Sequence, residues 1–383
     1  MRPKDRMLAA LDRCEPDRLP ATTHHVMDYF LDTYLNGVSC QEFFDMFGLD
    51  PVLWTLPLAP DPERGQSSVD LPAGFLGSVH LMTDEWRVQI DRLPHDRYNT
   101  ERVSFATPVG TLSMVLQSNQ HTTWVTEHLV KRKEDIEIIA RYCPSPKCDV
   151  SAVMASAETF GDRGLVRGHI PGFDFWGQPG CWQDATCLVG TEELILATFD
   201  DAMWVHELLH ILQGMKLTFV DSLAGAPYDL LELGGGAASS TVISPRIFDR
   251  FVAPYDAPLI ERSHAAGQRI VYHTCGGMMP LLERIADMRP DAMETLTPPA
   301  MGGDVDLSEV KRRIGDRVCL IGGFDQFHYF LGCTPDATRR EVRRCFEAAG
   351  SGGGFILAPS DHFFDADVRL IQAFADEAQS CTY

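Results

Sequence analysis

From about residue 133 onward the chain alternates short apolar runs with longer helix-like segments, and this rhythm limits the available folds more than any other feature. The apolar runs are Leu165–His169, Lys216–Asp221, Asp229–Leu233, Gln268–His273, Asp291–Thr295, Arg317–Ile321 and Phe355–Ala358. Helical periodicity between them predicts helices over 191–214, 245–266, 278–288, 306–314, 335–349 and 366–379. Strand–helix alternation with short connections produces parallel βαβ units. A further strand at Arg18–His25 brings the number to eight, which closes a (β/α)8 TIM barrel, an α/β fold. The competing topology is an open doubly wound sheet, but no Gly-x-Gly-x-x-Gly follows an early strand.

The first third reads differently. Residues 4–13 suit a short amphipathic helix, and 28–36 and 40–47 carry helical periodicity through Phe30, Tyr34, Leu35, Phe43, Phe44 and Phe47. Residues 56–77 are rich in Pro and Gly and read as an irregular excursion. Trp86–Ile90, Glu101–Ser104 and Ser113–Gln117 read as antiparallel strands joined by turns, with Thr107-Pro108-Val109-Gly110 in one of them. Residues 26–132 are thus expected to cap or insert into a single barrel domain spanning 1–383.

Composition narrows the partners. A net charge of −21 repels polyanions, which argues against nucleic acid and anionic membrane as partners. The N-terminus runs straight into charged sequence, and no apolar stretch is long enough for a spanning helix, so a cytoplasmic protein is expected. Eleven cysteines, an odd number without a repeating framework, suit free thiols in a reducing compartment. Cys143 and Cys148 are read as ordinary thiols among them.

The chemistry-bearing residues gather at the predicted strand exits, where barrel active sites form. In Arg269-Ile270-Val271-Tyr272-His273-Thr274-Cys275-Gly276-Gly277, residues two apart face the same way, so His273 and Cys275 offer an imidazole and a thiol side by side. Both are good zinc ligands. Asp361, with His362 at the exit of the last strand, and Glu294 are candidates to complete the site. Each also has a bland reading: Asp361 as a helix cap, Glu294 as partner of a core arginine. Glu232 stands before Gly234-Gly235-Gly236, a turn read as letting substrate approach the backbone, and Asp221, Ser222, Asp325 and Gln326 lie at other exits. His24, His25 and His169 are read as facing substrate. Phe173, Phe175, Trp176 and Trp182 offer an apolar wall for an aryl ring, or packing between cap and barrel.

With these residues in place, the chain resembles the uroporphyrinogen decarboxylase superfamily, specifically its zinc-dependent, corrinoid-linked methyltransferase branch. The resemblance rests on Thr107-Pro108-x-Gly110, Ile243-Ser244-Pro245 with Phe248, His273-x-Cys275-Gly276, Gly322-Gly323-Phe324-Asp325, Thr334-Pro335 and Phe355-Ile356-Leu357-Ala358-Pro359. It implies a (β/α)8 barrel with zinc held by a His-x-Cys pair, here His273 and Cys275. Thiol-methylating members add a second cysteine after an Ala-Pro near the last strand; here Ala358-Pro359 is followed by Ser360-Asp361-His362. Decarboxylase members place arginines after the first strand, where this chain has His24-His25-Val26-Met27-Asp28-Tyr29. One thiolate fewer leaves zinc a stronger Lewis acid, suited to an ether oxygen. The resemblance therefore implies an O-demethylase-type enzyme moving a methyl group from a methoxylated aromatic molecule to a corrinoid. Glu232, Asp361 or His362 would protonate the leaving oxygen. Without an Asp-x-His-x-x-Gly pattern, the corrinoid must sit on a separate protein. The alternatives are a thiol methyltransferase recruiting Cys333 as a soft ligand, a decarboxylase of an untypical substrate, and a catalytically silent barrel. A homodimer is compatible with all of them.

Overall fold

The computed structural model describes residues 1–60, 65–70, 79–173 and 178–383. In chain order its strands are β1 Val52–Trp54, β2 Ser67–Asp70, β3 Val79–Met82, β4 Arg87–Leu93, β5 Asn99–Thr107, β6 Gly110–Ser118, β7 Thr123–Glu127, β8 Leu165–His169, β9 Leu230–Gly234, β10 Ile270–His273, β11 Ala292–Thr295, β12 Cys319–Phe324 and β13 Phe355–Pro359. Strands β1 and β8 to β13 form one parallel sheet in the order β1-β8-β9-β10-β11-β12-β13. The eighth position is a short extended segment around Ala21, which bridges Leu357 of β13 in parallel. On its other side, the Asp50 amide donates to the Ala21 carbonyl at 2.7 Å and the chain enters β1 directly. The fold is a (β/α)8 barrel, with helices outside the sheet.

Period-two alternation sorts the strand residues. Outward-facing Val166, Leu231, Leu233, Ile270, Tyr272, Met293, Leu320, Phe355 and Leu357 join the large core shared with the helices. Inward-facing Leu165, Leu230, Val271, Ala292, Cys319 and Ile356 form a dry floor, closed from below by Met7, Ala10 and Leu11 of the helix Pro3–Leu11. Two residues further along, the inward positions turn polar: Arg167, Glu232, His273 and Glu294. A one-residue slip of any of these strands would exchange charge for core, so the register is strongly specified.

Two sequence expectations are corrected here. Lys216–Asp221 is not a strand; it is the last part of the helix Ala202–Asp221, which a turn at Asp201 separates from the helix Thr191–Asp200. Lys216, Phe219 and Val220 are its buried residues, a three-and-four spacing that satisfies a helix despite the β-branched Thr218 and Val220. Asp221 and Ser222 therefore lie outside the barrel, with Asp221 paired to Arg262 on the surface at 2.5 Å. The place in the sheet is taken by β1, which no sequence signal predicted. The expected antiparallel strands at 86–90, 101–104 and 113–117 fall in β4, β5 and β6 of a sheet ordered β4-β5-β6-β7, while β2, inside the stretch read as irregular, pairs with β3. The β6–β7 turn brings His121 against Phe364 and Tyr29, ring centroids 4.7 Å and 4.5 Å apart.

Asp50 holds the barrel seam. Its carboxylate accepts from Arg6 at 2.6 Å, from Arg18 at 3.2 Å and from the Ala21 amide at 2.9 Å, all beneath the floor. Removing a fully buried anion leaves the Ala21 amide without its carboxylate and takes one acceptor each from Arg6, which keeps Asp17, and Arg18, which keeps the Leu19 carbonyl. Asp50→Ala is expected to lower unfolding free energy by about 3–5 kcal/mol in urea titrations. A loss under about 1 kcal/mol would show that the seam closes without it.

Candidate active site

The polar layer above the floor converges on two buried carboxylates. Glu232 comes from β9 and Glu294 from β11, with β10 and its His273 between them. Arg167, from β8, donates through one terminal nitrogen to Glu232 at 2.8 Å and also to Glu294. His24 Nε2, just past the first segment, lies 3.1 Å from Glu232 and 3.2 Å from Glu294. His273 Nδ1 lies 3.1 Å from Glu294 and 3.4 Å from Glu232. Its other nitrogen, Nε2, faces the Cys275 thiol at 3.1 Å. The rings of His24 and His273 stack at 5.0 Å. Behind the guanidinium, Trp54 of β1 lies 4.4 Å away and donates its indole N–H to the His24 carbonyl at 3.0 Å.

The charges are mutually enforced. Burial works against ionising Glu294, but Arg167 and His24 outweigh it and hold its pKa well below the ordinary carboxylate range. Glu232 is also lowered: burial opposes, while His273 and His24 outweigh it. Burial opposes the charged form of His24, yet Glu294 and Glu232 raise its pKa. Neighbouring His25 goes the other way, pushed well below its ordinary value by burial and by charged His24 and Arg167. His169 is lowered by burial. His273 is raised well above the usual imidazole range, Cys275 and Glu232 overcoming burial. Burial, with Asp361 adding to it, raises the Cys275 thiol against the pull of His273.

The other strand-exit candidates are Asp361, His362, His169 and His25. Asp361 lies close enough to His273 and Cys275 to act on both electrostatically, and it bonds His362 Nδ1 at 2.8 Å. Asp361 does not cap the following helix; Asp367 does. His169 sits two residues beyond Arg167 on the same face and bonds the Ile170 carbonyl. His25 packs on Trp54 at 4.5 Å. Glu294 has the arginine partner that its bland reading required, and the histidines as well.

Other expectations do not hold. The glycines after β9 are approached by the protein's own chain: Gly180 donates to the Gly234 carbonyl at 2.6 Å, and the Gly236 amide donates to Gln178. Gly234 adopts φ +107°, and a Cβ there would meet the His273 carbonyl at 2.3 Å, so this glycine lets β9 close against β10 at the site. Trp182 does not line the mouth; it is fully buried, packed near Phe251, with its indole N–H on the Ala237 carbonyl. Phe173 is also buried. Phe175 and Trp176 lie outside the described residues. Cys333 sits at the start of an outer helix with its thiol on the Tyr329 carbonyl, and brings no soft ligand to the site. Asp325 caps the short helix Gln326–Tyr329. All eleven cysteines are free, and among the described residues no helix is long and apolar enough to cross a membrane.

The functional residue that sequence reasoning missed is Arg167. Its signal was present: a charged residue inside the otherwise apolar run Leu165-Val166-Arg167-Gly168, on the parity that faces the barrel axis.

The donor set fits a divalent ion. The ligand atoms of His24, Glu232, His273 and Glu294 lie within 4.8 Å of one another. The imidazole–thiol contact of 3.1 Å is close to the separation of about 3.5 Å that nitrogen and sulfur ligands take across a tetrahedral zinc. The opposite nitrogen of His273 is held by a carboxylate, as metal-bound histidines generally are.

Comparison with known proteins follows the same lines. A family model described as Uroporphyrinogen decarboxylase (URO-D) matches residues 122–380. A protein of Psychromonas ingrahamii named uroporphyrinogen decarboxylase is 29% identical over 242 residues, 59% of this chain and 62% of that protein's length. One of the same name from Pseudomonas putida is 24% identical over 296 residues, covering 72% of this chain and 77% of that protein. Among solved structures, a methyltransferase from Methanosarcina mazei superposes with a TM-score of 0.64 at 15% identity, covering 99% of each chain, and shares the fold.

Strand β10, which carries His273, is held from behind. The Tyr272 hydroxyl donates to buried Asp256 at 2.9 Å, and the Cys181 amide donates to the same carboxylate at 3.2 Å. Burial lifts the Asp256 pKa to about 6. An acid whose folded pKa exceeds its unfolded value of about 4 binds its proton more tightly when folded. Its contribution to stability is therefore full below about pH 4 and is lost as pH rises towards 6, by roughly 3 kcal/mol. Asp256→Asn should flatten that segment of the stability–pH curve in urea titrations; an unchanged slope would contradict this assignment.

Proposed function

The chain belongs to the uroporphyrinogen decarboxylase family, and from that premise we propose that it is a zinc-dependent methyltransferase of the O-demethylase type. It takes a methyl group from a methoxylated aromatic small molecule and passes it to a corrinoid carried by a separate protein. The observation that carries this reading is the side-by-side imidazole and thiol of His273 and Cys275 at the barrel mouth, with a carboxylate behind the imidazole. His273 and Cys275 are the proposed ligands, and Asp361 is the mouth carboxylate nearest to them in effect. Bound there, zinc supplies a Lewis acid for an ether oxygen.

The remaining roles fall to the chain's own side chains. Asp361 orients His362 through their 2.8 Å hydrogen bond, so that His362 can deliver a proton to the departing phenolate or alkoxide as the carbon–oxygen bond breaks. Phe364 packs on His362 at 5.1 Å and carries Tyr29 and His121 beside it, an aromatic surface of the kind a methoxyarene needs. Glu232 is buried in the charge cluster beneath the mouth, where it orients rather than donates protons.

A second reading, decarboxylation of an untypical substrate, draws on the names of the curated relatives. It needs cationic groups free to hold substrate carboxylates. Arg167 is committed to Glu232 and Glu294, which favours the methyl-transfer reading.

Protein prepared without added metal is expected to hold about one zinc per chain by elemental analysis, and Cys275→Ser to lose it. Wild-type protein that stays metal-free when zinc is supplied would end the zinc reading. Mixed with a Co(I) corrinoid protein and a panel of methoxyarenes, the protein should produce the absorption change of cobalt methylation with at least one of them. His362→Ala should slow that change about 100-fold or more, the usual contribution of a general acid. Release of carbon dioxide from carboxylated analogues with no cobalt methylation would favour the second reading.

A further inference from the structure

His273 presents its two nitrogens to two different environments. Nδ1 faces the carboxylates of Glu294 and Glu232, and Nε2 faces the Cys275 thiol. Taken as donors alone, the carboxylates with His24 and Nδ1 would make a second pocket for a cation, on the opposite side of the same ring. We propose that Arg167 is the positioning residue that decides between the two: by clamping Glu232 to Glu294 it keeps both carboxylates off the ion and commits His273 to bind through Nε2, beside Cys275. This inference rests on the zinc reading above.

Three observations carry it. First, the guanidinium bonds one oxygen of each carboxylate, Glu232 Oε2 and Glu294 Oε1, and so joins the two acids. Those two oxygens are also faced by His24 Nε2, at 3.1 and 3.2 Å. Second, a dication among these oxygens would sit beside a permanently charged guanidinium in a site buried from water, where repulsion is weakly screened. Third, Arg167 cannot swing aside: it is buried on a central strand and backed by Trp54 at 4.4 Å, whose indole is tied to the His24 carbonyl. The carboxylate that accepts from Nδ1–H then fixes the tautomer that leaves the Nε2 lone pair free.

Cobalt(II) separates the alternatives, because its visible absorption reports thiolate ligation and coordination number without any turnover. Wild-type protein loaded with Co(II) should show a sulfur-to-cobalt charge-transfer band and intense tetrahedral absorption, with the band lost in Cys275→Ser. Absence of the band in wild type would remove the zinc reading itself. With the band present, Glu294→Gln and Glu232→Gln should leave the spectrum unchanged while weakening Co(II) affinity about 10–100-fold in chelator competition. A changed visible envelope in either variant would make that carboxylate a ligand and overturn the proposal. Arg167→Met should weaken the sulfur-to-cobalt band as the ion moves to the carboxylate side of His273, Arg167→Lys should restore part of it, and Arg167→Met combined with Glu294→Gln should return towards the wild-type spectrum. An Arg167→Met spectrum identical to wild type would refute the positioning role; should that variant not fold, the glutamine variants still decide.

Discussion

Two carboxylates buried inside a barrel are tolerable only if cations are buried with them, and Arg167 is the group that makes the arrangement possible. Taking an ionised group out of water costs several kcal/mol even after relaxation, and mutual attraction repays it only with good geometry and few vacant lone pairs. Here one guanidinium nitrogen spans both acids, and two imidazoles meet the same oxygens or their partners. Such a network adds little net stability compared with an apolar core. What it supplies is a fixed orientation for His273, and through that ring a fixed relation to Cys275.

The barrel keeps this network apart from another. Beneath the dry floor of Leu165, Leu230, Val271, Ala292, Cys319 and Ile356, Asp50 gathers Arg6, Arg18 and the Ala21 amide. The lower cluster closes the seam between the first segment and β1; the upper one arms the mouth. The apolar layer between them excludes water from both, which strengthens each set of charge-assisted bonds. Division between a stability end and a chemistry end follows the general habit of this architecture.

The fold was largely legible because β8, β9, β10, β11 and β13 are short, wholly buried apolar runs, as strands of a parallel sheet covered on both faces must be, and because helical segments separate them. One strand escaped for a physical reason. Val52-Leu53-Trp54 is three residues long between Pro51 and Pro57, too short to show a period. The strand expected at Arg18–His25 is present but short, pairing at Ala21 through a single bridge. Lys216–Asp221 misled because Thr218 and Val220 favour strands locally, while the burial of Lys216 on Asp184 at 2.6 Å is a tertiary fact that no local pattern contains. At the site, His273 and Cys275 were visible from spacing. That Glu232 and Glu294 share one arginine was not, since the three come from β8, β9 and β11 and meet only when the sheet curls.

The same closure bears on what the barrel can accept. A polycarboxylate entering the mouth would meet Glu232, Glu294 and Asp361, with Arg167 already engaged and a chain of net charge −21 around them. A neutral ether meets no such repulsion. Under the proposed reading, its aromatic part would meet the rings of Tyr29, His121 and Phe364, and its oxygen the side of the barrel that carries His273, Cys275 and the Asp361–His362 pair. In that reading, the anion left by methyl transfer would be the least welcome species in such a site and would have to be neutralised as it forms. That requirement places the proton source at the mouth rather than in the buried cluster, whose protons are held between Glu232, Glu294 and the two histidines.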